Sequence, residues 1–350
     1  MIARGLLLLA AWVLPCLAVA SDAASPASGL QREAVFTDYS PLARSDELLR
    51  RLLSPLNALR VHRELAQSKQ GLREQPLDLA QQRFALYVPG GPAPARGYAL
   101  LVFVPPWPQA VVPPRWMATL ERRHVIFVSA AHSGNDADVM DCRIPLALLA
   151  EQNIVRRYRV DPRRIYIGGF SGGSRVALRI ALDFPDVFRG VLLDAGSDPI
   201  GNAQIPLPTR ERFHRFQDST RLVYLTGQRD DARLRQDVRS RQSLRDWCVF
   251  DLVDEGMSMP WTGHQLAGPD ALERALAALE TPARPDSAAL AGCRRRVDRK
   301  LAVLERQISD LLAHGRFDDA RIVLAKIDMR FGGLAAPQSI KWQRVLAAQP

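Results

Sequence analysis

Short apolar runs alternate with helix-length segments from about residue 83 to residue 281. The runs show little polar alternation, which is typical of strands buried on both faces of a parallel sheet. The predicted strands are 83–89, 98–104, 124–129, 164–168, 189–193, 221–225 and 249–253. The predicted intervening helices are 115–122, 141–158, 172–183, 232–246 and 269–280. This order predicts a three-layer α/β domain with a mostly parallel sheet over 76–281.

The segment before this domain, residues 21–75, has two parts. Residues 21–32 are rich in Ser, Ala and Asp and are typical of a flexible linker. Leucines at helical spacing predict an accessory helical segment over 45–68. Pro55 lies inside this segment, and we expect it to divide the helix.

The segment after the domain is predicted to be helical. Residues 281–290 contain two prolines among small polar residues and predict a linker. Residues 286–350 predict a small α-helical domain, in which 315–320 resembles the turn and second helix of a tetratricopeptide repeat. One such unit is too few for a solenoid, so a helical tail docked on the α/β domain is the alternative.

The first twenty residues have the pattern of a bacterial-type signal peptide. Arg4 precedes an apolar run from Leu6 to Leu14, and an A-x-A cleavage site ends at Ala20. The run is too short for a stable membrane span. The pattern therefore predicts removal of residues 1–20 and export to the periplasm or the exterior.

Composition narrows the function classes. The chain has 350 residues, 47% of them hydrophobic, which is enough for a sizeable core. Its formal net charge is +10, but the arginines are interleaved with acids rather than clustered, which argues against nucleic-acid binding.

The number and spacing of cysteines and histidines limit the possible disulfides and metal sites. The mature chain would keep Cys142, Cys248 and Cys293, so one bridge with a free thiol and no bridge at all are both open. The chain has no C-x-x-C or His-x-His pattern, and we predict no metal and no cofactor.

The pentapeptide 169–173, Gly-Phe-Ser-Gly-Gly, is the feature most directly tied to chemistry. It is a G-x-S-x-G pattern between a predicted strand and a predicted helix, the context of a nucleophile elbow. Ser171 is the candidate nucleophile, and the Gly172 backbone N–H is a candidate donor to an oxyanion. The alternative is an ordinary glycine-rich turn.

A serine nucleophile needs a base and an acid that orients the base. Behind an elbow of this type, the acid and then the base follow in the chain. His264 lies between the last strand and the last helix of the domain, where the base is expected. Asp230 follows the preceding strand in a G-x-x-D turn, with Asp231 as its rival. Alternatively, Asp230 and Asp231 have no catalytic role and belong to a solvated acidic turn beside Arg229.

The second oxyanion donor should follow the strand at 98–104. Many esterases carry His-Gly there, whereas this chain has Pro-Pro-Trp-Pro at 105–108. Because proline has no backbone N–H, Trp107 is the only candidate donor in that run.

The stretch 98–279 resembles an α/β-hydrolase, and it is most similar to secreted polyhydroxybutyrate-depolymerase-like and feruloyl-esterase-like serine esterases. The resemblance is carried by 133–135, 160–175, 226–230 and Gly263-His264. It implies that Ser171 is the nucleophile, Asp230 the acid and His264 the base. The chain departs from the family's pattern at the oxyanion loop.

We therefore expect an exported serine hydrolase of small or polymeric carboxylic esters. A serine peptidase of the same fold is one alternative. Another is a weakly active or inactive member that binds a protein partner through the helical tail at 286–350.

Overall fold

The computed structural model describes residues 27–68, 71–254, 256–281 and 286–349. The predicted signal peptide, residues 1–20, lies outside the described residues. An eight-stranded sheet forms the centre of the molecule. Its strands are β1 Gly29–Ala34, β2 Phe84–Val88, β3 Tyr98–Val104, β4 Val125–Ala130, β5 Val160–Phe170, β6 Gly190–Asp194, β7 Arg221–Leu225 and β8 Leu252–Val253.

The sheet is mostly parallel, as predicted. Its strand order is β1-β2-β4-β3-β5-β6-β7-β8. Strand β2 runs antiparallel to both β1 and β4, and the pairs from β4 onward are parallel. Because the carboxyl ends of parallel strands meet at one edge, the loops after β3, β5, β7 and β8 are brought together there.

Helices cover both faces of the sheet. They are α1 Ser45–Leu52, α2 Pro55–Gln67, α3 Met117–Arg123, α4 Ile144–Arg157, α5 Gly172–Asp183, α6 Arg210–Ser219, α7 Asp231–Asp246, α8 Pro269–Glu280, α9 Ser287–Ala313, α10 Phe317–Phe331 and α11 Gln338–Ala347. Alternate residues of β3 point to opposite faces. Leu100 and Val102 pack with α4 and α5, while Leu101 and Phe103 pack with α3 and α8. The three-layer α/β fold class is therefore confirmed.

At the edges of the domain one prediction was wrong, one helix had not been predicted and one prediction was confirmed. Gly29–Ala34 is an edge strand, although the linker was predicted to reach residue 32; its largely polar, half-exposed sequence hides the strand signal. Helix α6 lies in a stretch for which no element was predicted. Pro55 does divide the N-terminal helical segment, because α1 ends at Leu52 and α2 begins at Pro55.

The C-terminal helices pack on the rest of the molecule. The Phe331 ring of α10 meets Trp247 edge to face at 5.6 Å between centroids. The Asp328 carboxylate accepts hydrogen bonds from the Ser54 hydroxyl at 2.5 Å and the Leu56 N–H at 3.0 Å. Helix α9 begins at Ser287, so the predicted linker does not extend to residue 290.

One disulfide joins the domain to the first of these helices. Cys248 follows α7, Cys293 lies in α9, and the two are bridged across 45 residues of sequence. Cys142 is a free, half-buried thiol. Of the two alternatives left open by the cysteine count, the structure has the bridge with a free thiol.

Candidate active site

Ser171 lies on a strained turn between β5 and α5. Its backbone has φ 55° and ψ −117°, a conformation that residues with a side chain rarely adopt and that is held by the surroundings. The chain crosses itself closely here. A Cβ at Gly169 would overlap the Gly173 backbone, and a Cβ at Gly173 would overlap the Val104 carbonyl oxygen at the end of β3. The two glycines of the motif are thus required by close approach of backbone.

Three predicted side chains form one chain of hydrogen bonds. The His264 Nε2 atom lies 2.9 Å from Ser171 Oγ. The His264 Nδ1 atom lies 2.6 Å from Asp230 Oδ2. The Asp230 side chain is 8% exposed and the His264 side chain 41% exposed, so the base faces solvent while the acid is covered. The arrangement can transfer the serine proton to the imidazole.

Helix α7 positions the acid. Asp230 is the residue before the helix, and its Oδ1 atom accepts the Arg233 N–H at 3.3 Å. The other oxygen is left for the imidazole. Asp231 is exposed in the first turn of α7. The structure therefore brings Asp230, and not its rival, to His264.

The loop of the acid is joined to the loop of the base by backbone contacts. The Gln228 N–H donates to the Met259 carbonyl at 3.1 Å, and the Arg229 N–H donates to the Thr262 carbonyl at 2.9 Å. A Cβ at Gly227 would overlap the carbonyl oxygens of 262 and 263. The glycine of the G-x-x-D turn thus lets the two loops touch.

Asp194, at the end of β6, joins the backbone of Ser171 to the loop that follows His264. Its backbone carbonyl accepts the Ser171 N–H at 2.8 Å, and its Oδ2 atom accepts the Ala267 N–H at 2.8 Å. The side chain is fully buried, and burial raises the pKa of its carboxyl well above the ordinary value. Sequence reasoning missed this residue, because nothing in its neighbourhood marks it except its place at the end of a strand.

Aromatic side chains flank the imidazole. The Phe170 ring lies 5.0 Å from the His264 ring, and the Trp107 ring lies 6.2 Å from that of Phe170. In the loops that contain Asp230 and His264, the Arg229 guanidinium lies 5.1 Å from the ring of Trp261, which is 78% exposed. Phe170 occupies the variable position of the elbow motif, and Trp261 lies three residues before the base; neither was predicted as part of the site.

Two backbone N–H groups lie free beside the elbow. Within the described residues, neither the Gly172 N–H nor the Trp107 N–H has a hydrogen-bond partner. Gly172 begins α5, so its N–H lies at the positive end of the helix. The end of β3 presses on Gly173, which brings the loop containing Trp107 to the elbow. Both groups are therefore unpaired in the described part of the chain, and their role as oxyanion donors stays a prediction.

The described ranges contain no group of three or more His, Cys, Asp or Glu side chains arranged to hold a metal ion. Nor does any helix among those residues combine the length and apolar character needed to span a membrane.

Comparison with known proteins gives partial likenesses. No family model matches the sequence. Over 72 residues, 19% of the chain, it is 36% identical to a protein from Nocardia uniformis subsp. tsuyamanensis named as the esterase NocK, and these residues span 21% of that relative.

Among solved structures, acetyl xylan esterase from Aspergillus awamori is 10% identical over 57% of this chain and 94% of its own, with a TM-score of 0.42. The esterase of Pyrobaculum calidifontis is 13% identical over 57% and 80%, with a TM-score of 0.41. A puromycin-hydrolyzing peptidase of Mycobacterium tuberculosis is 19% identical over 56% and 36%, with a TM-score of 0.37.

The fold assignment rests on the topology of the chain itself. Strand β5 leads through a G-x-S-x-G turn into α5, and Asp230 and His264 follow in that order on loops at the same edge of the sheet. The chain has the α/β-hydrolase fold.

Proposed function

We propose that the protein is a serine hydrolase that cleaves carboxylic esters through an acyl-enzyme. The observation that carries the proposal is the continuous contact from Asp230 through His264 to Ser171, with distances of 2.6 and 2.9 Å. A serine hydroxyl is a weak nucleophile alone, and this contact supplies the base it needs.

In the first half-reaction, Ser171 Oγ attacks the ester carbonyl carbon while His264 Nε2 takes the hydroxyl proton. The tetrahedral intermediate collapses, the bond to the alcohol oxygen breaks, and His264 returns the proton to the departing alcohol. Asp230 holds the imidazole in the tautomer with hydrogen on Nδ1 and stabilises its cation. Water then attacks the acyl-enzyme with the same base, which releases the acid and restores Ser171.

In the tetrahedral intermediate, the negative charge lies on the former carbonyl oxygen of the ester. We assign the Gly172 and Trp107 N–H groups as its donors, since both are unpaired among the described residues and lie beside the elbow. Removal of one such donor typically lowers kcat by about 10²- to 10³-fold.

Esters are favoured over peptides by one finding outside the site, the 72-residue likeness to a protein named as an esterase. The exposure of His264, at 41%, suits a small ester or a polymer chain that approaches from solvent. A serine peptidase would use the same three residues, so substrate comparison decides between the two activities.

Export is proposed as well. The Cys248–Cys293 bridge supports it, because disulfides persist in oxidising compartments. Cell fractionation with N-terminal sequencing should find the protein outside the cytoplasm and beginning at Ser21. A protein partner at the C-terminal helices stays a prediction from the sequence.

Hydrolysis of a nitrophenyl ester series and an aminoacyl-nitroanilide series tests the activity. We expect ester turnover that is lost in Ser171→Ala, with little amide turnover. Amide turnover without ester turnover would show that the protein is a peptidase. If the folded protein turns over neither series, the proposed hydrolase activity is refuted.

A further inference from the structure

Arg143 is a buried cation that the triad chemistry does not use. It ends a short π-helical turn, Val139–Arg143, directly before α4, and only 3% of its surface is exposed. Among the described residues no carboxylate pairs with its guanidinium. Burial lowers its pKa to about 10, and the charge of Arg175 adds to this effect.

The guanidinium instead bonds two backbone carbonyls on two different loops. Its Nε atom donates to the Ser133 carbonyl at 3.0 Å. Its Nη2 atom donates to the Pro105 carbonyl at 2.9 Å. The fork of the arginine thus ties the loop after β4 to the loop after β3.

The loop after β3 is held in place by hydrogen bonds that its backbone carbonyl oxygens accept. Pro105, Pro106 and Pro108 have no N–H, so Trp107 has the only backbone N–H within 105–108. The Pro106 carbonyl accepts the Asn135 N–H at 3.0 Å, and the Pro108 carbonyl accepts the His132 N–H at 2.6 Å. With the bond from Arg143, three carbonyls are held while the Trp107 N–H stays free.

Both loops tied by Arg143 contact the elbow. The backbone at the end of β3 and at Pro105 lies against Gly173. The Asn135 side chain lies against Gly172, and Gly134 lies against the backbone of Trp107. A shift of either loop would therefore move the Trp107 N–H relative to the Gly172 N–H.

We propose that Arg143 is the positioning residue of the oxyanion hole: it holds the proline-rich loop in place through the Pro105 and Ser133 carbonyls and leaves a positive charge behind that loop. This inference rests on the proposed hydrolase activity and deepens it. It explains how a loop without the usual glycine can present its one N–H in a fixed direction.

The energetics favour a functional reason for this arginine. An unpaired buried charge is expensive, and even a buried ion pair can often be replaced by apolar residues of similar volume without loss of stability. In a site of low dielectric constant, a fixed positive charge also favours the oxyanion that forms in the transition state and does little for the neutral ester. Its removal should therefore lower kcat rather than raise KM.

The test uses Arg143→Met, which keeps the bulk, and Arg143→Lys, which keeps the charge but cannot bridge two carbonyls in the same way. Arg156→Met is the matched control, because Arg156 lies on α4 but its side chain is 58% exposed. For each full-length variant, kcat and KM are measured with nitrophenyl acetate. The inhibition constant of phenylboronic acid, which forms a tetrahedral adduct on a serine, is measured as well.

We expect Arg143→Met to lower kcat about 10- to 100-fold, the range for a misplaced catalytic group, with KM changed less than about twofold. The boronate inhibition constant should rise in parallel with the loss of kcat. Arg143→Lys should recover part of the activity, and Arg156→Met should match the unsubstituted protein.

A folded Arg143→Met protein with unchanged kcat, or with a raised KM alone, would overturn the proposal. If that variant does not fold, Arg143→Lys decides: unchanged kcat and boronate inhibition would overturn it, and a joint loss of both would support it. Failure of the unsubstituted protein to turn over any ester or bind the boronate is a different result, since it refutes the hydrolase itself and the inference with it.

Discussion

The Asp230 carboxylate uses one oxygen for the imidazole and the other for helix α7. Oδ2 lies 2.6 Å from His264 Nδ1, and Oδ1 accepts the Arg233 N–H at 3.3 Å. Substitution by asparagine and by alanine should separate these two roles. Asparagine keeps the shape and is itself a favourable residue before a helix, but its uncharged amide no longer favours the productive imidazole tautomer or its cation.

The expected effect on kcat is much larger than the expected effect on the free energy of unfolding. Asp230→Asn should lower kcat by about 10⁴-fold, or about 5.4 kcal/mol at 1.36 kcal/mol per factor of ten. Its free energy of unfolding should change by less than about 0.5 kcal/mol, whereas Asp230→Ala should lose about 1 kcal/mol with the helix cap. Both variants should have similarly low kcat, because both lose the partner of the imidazole.

The assay pairs ester turnover with urea unfolding on the same preparations. Asp231→Asn is the matched control, since Asp231 is adjacent and exposed and should keep full activity. An Asp230→Asn protein that retains more than about a tenth of the original kcat would refute the assigned role. Retained activity in Asp230→Asn together with a loss of activity in the control would show that the rival acid serves the base.

Three further outcomes follow from the structure. Replacement of Cys248 and Cys293 by serine opens a loop of 45 residues, and urea unfolding should show a loss of about 4 kcal/mol; equal stability with and without reductant would contradict the bridge. Burial raises the pKa of Asp183 to about 7 from the ordinary 3.8, so its contribution to stability is present below pH 4 and is lost as the pH rises through 7. The urea midpoint should therefore fall between about pH 4 and pH 7 and level off above pH 7, and Asp183→Asn should lessen that fall. Asp194→Ala removes the acceptor of the Ala267 N–H and should lower kcat about tenfold, while Asp194→Asn keeps an acceptor and should stay near the original rate; equal rates would exclude a positioning role.

Much of the sheet could be predicted from sequence because its strands are buried on both faces. Strand β3, for example, is wholly buried, and its apolar run has no polar interruption. The edge strand β1 exposes two charged side chains, Arg32 and Glu33, so its sequence resembles a loop. Its pairing with β2 is tertiary information that no local pattern carries.

The candidate triad could be found because topology limits where each member can lie. Ser171 has a motif, and the order of acid and base leaves few residues to choose from. The G-x-x-D spacing favours Asp230 over Asp231, and the structure shows the physical reason: Asp230 is the residue before helix α7 and is buried, whereas Asp231 lies exposed in the first turn. The roles of Asp194 and Arg143 depend on bonds to distant backbone groups, and a sequence alone does not show which carbonyls come together.

Covalent labelling by a fluorophosphonate tests the central proposal most directly. The probe reacts with a serine only when a base and an oxyanion hole activate it. We expect one label for each folded molecule, located on Ser171 by peptide mass spectrometry, with labelling lost in Ser171→Ala and strongly slowed in Asp230→Asn. Absence of labelling in the folded protein, or a label that persists in Ser171→Ala, would contradict it.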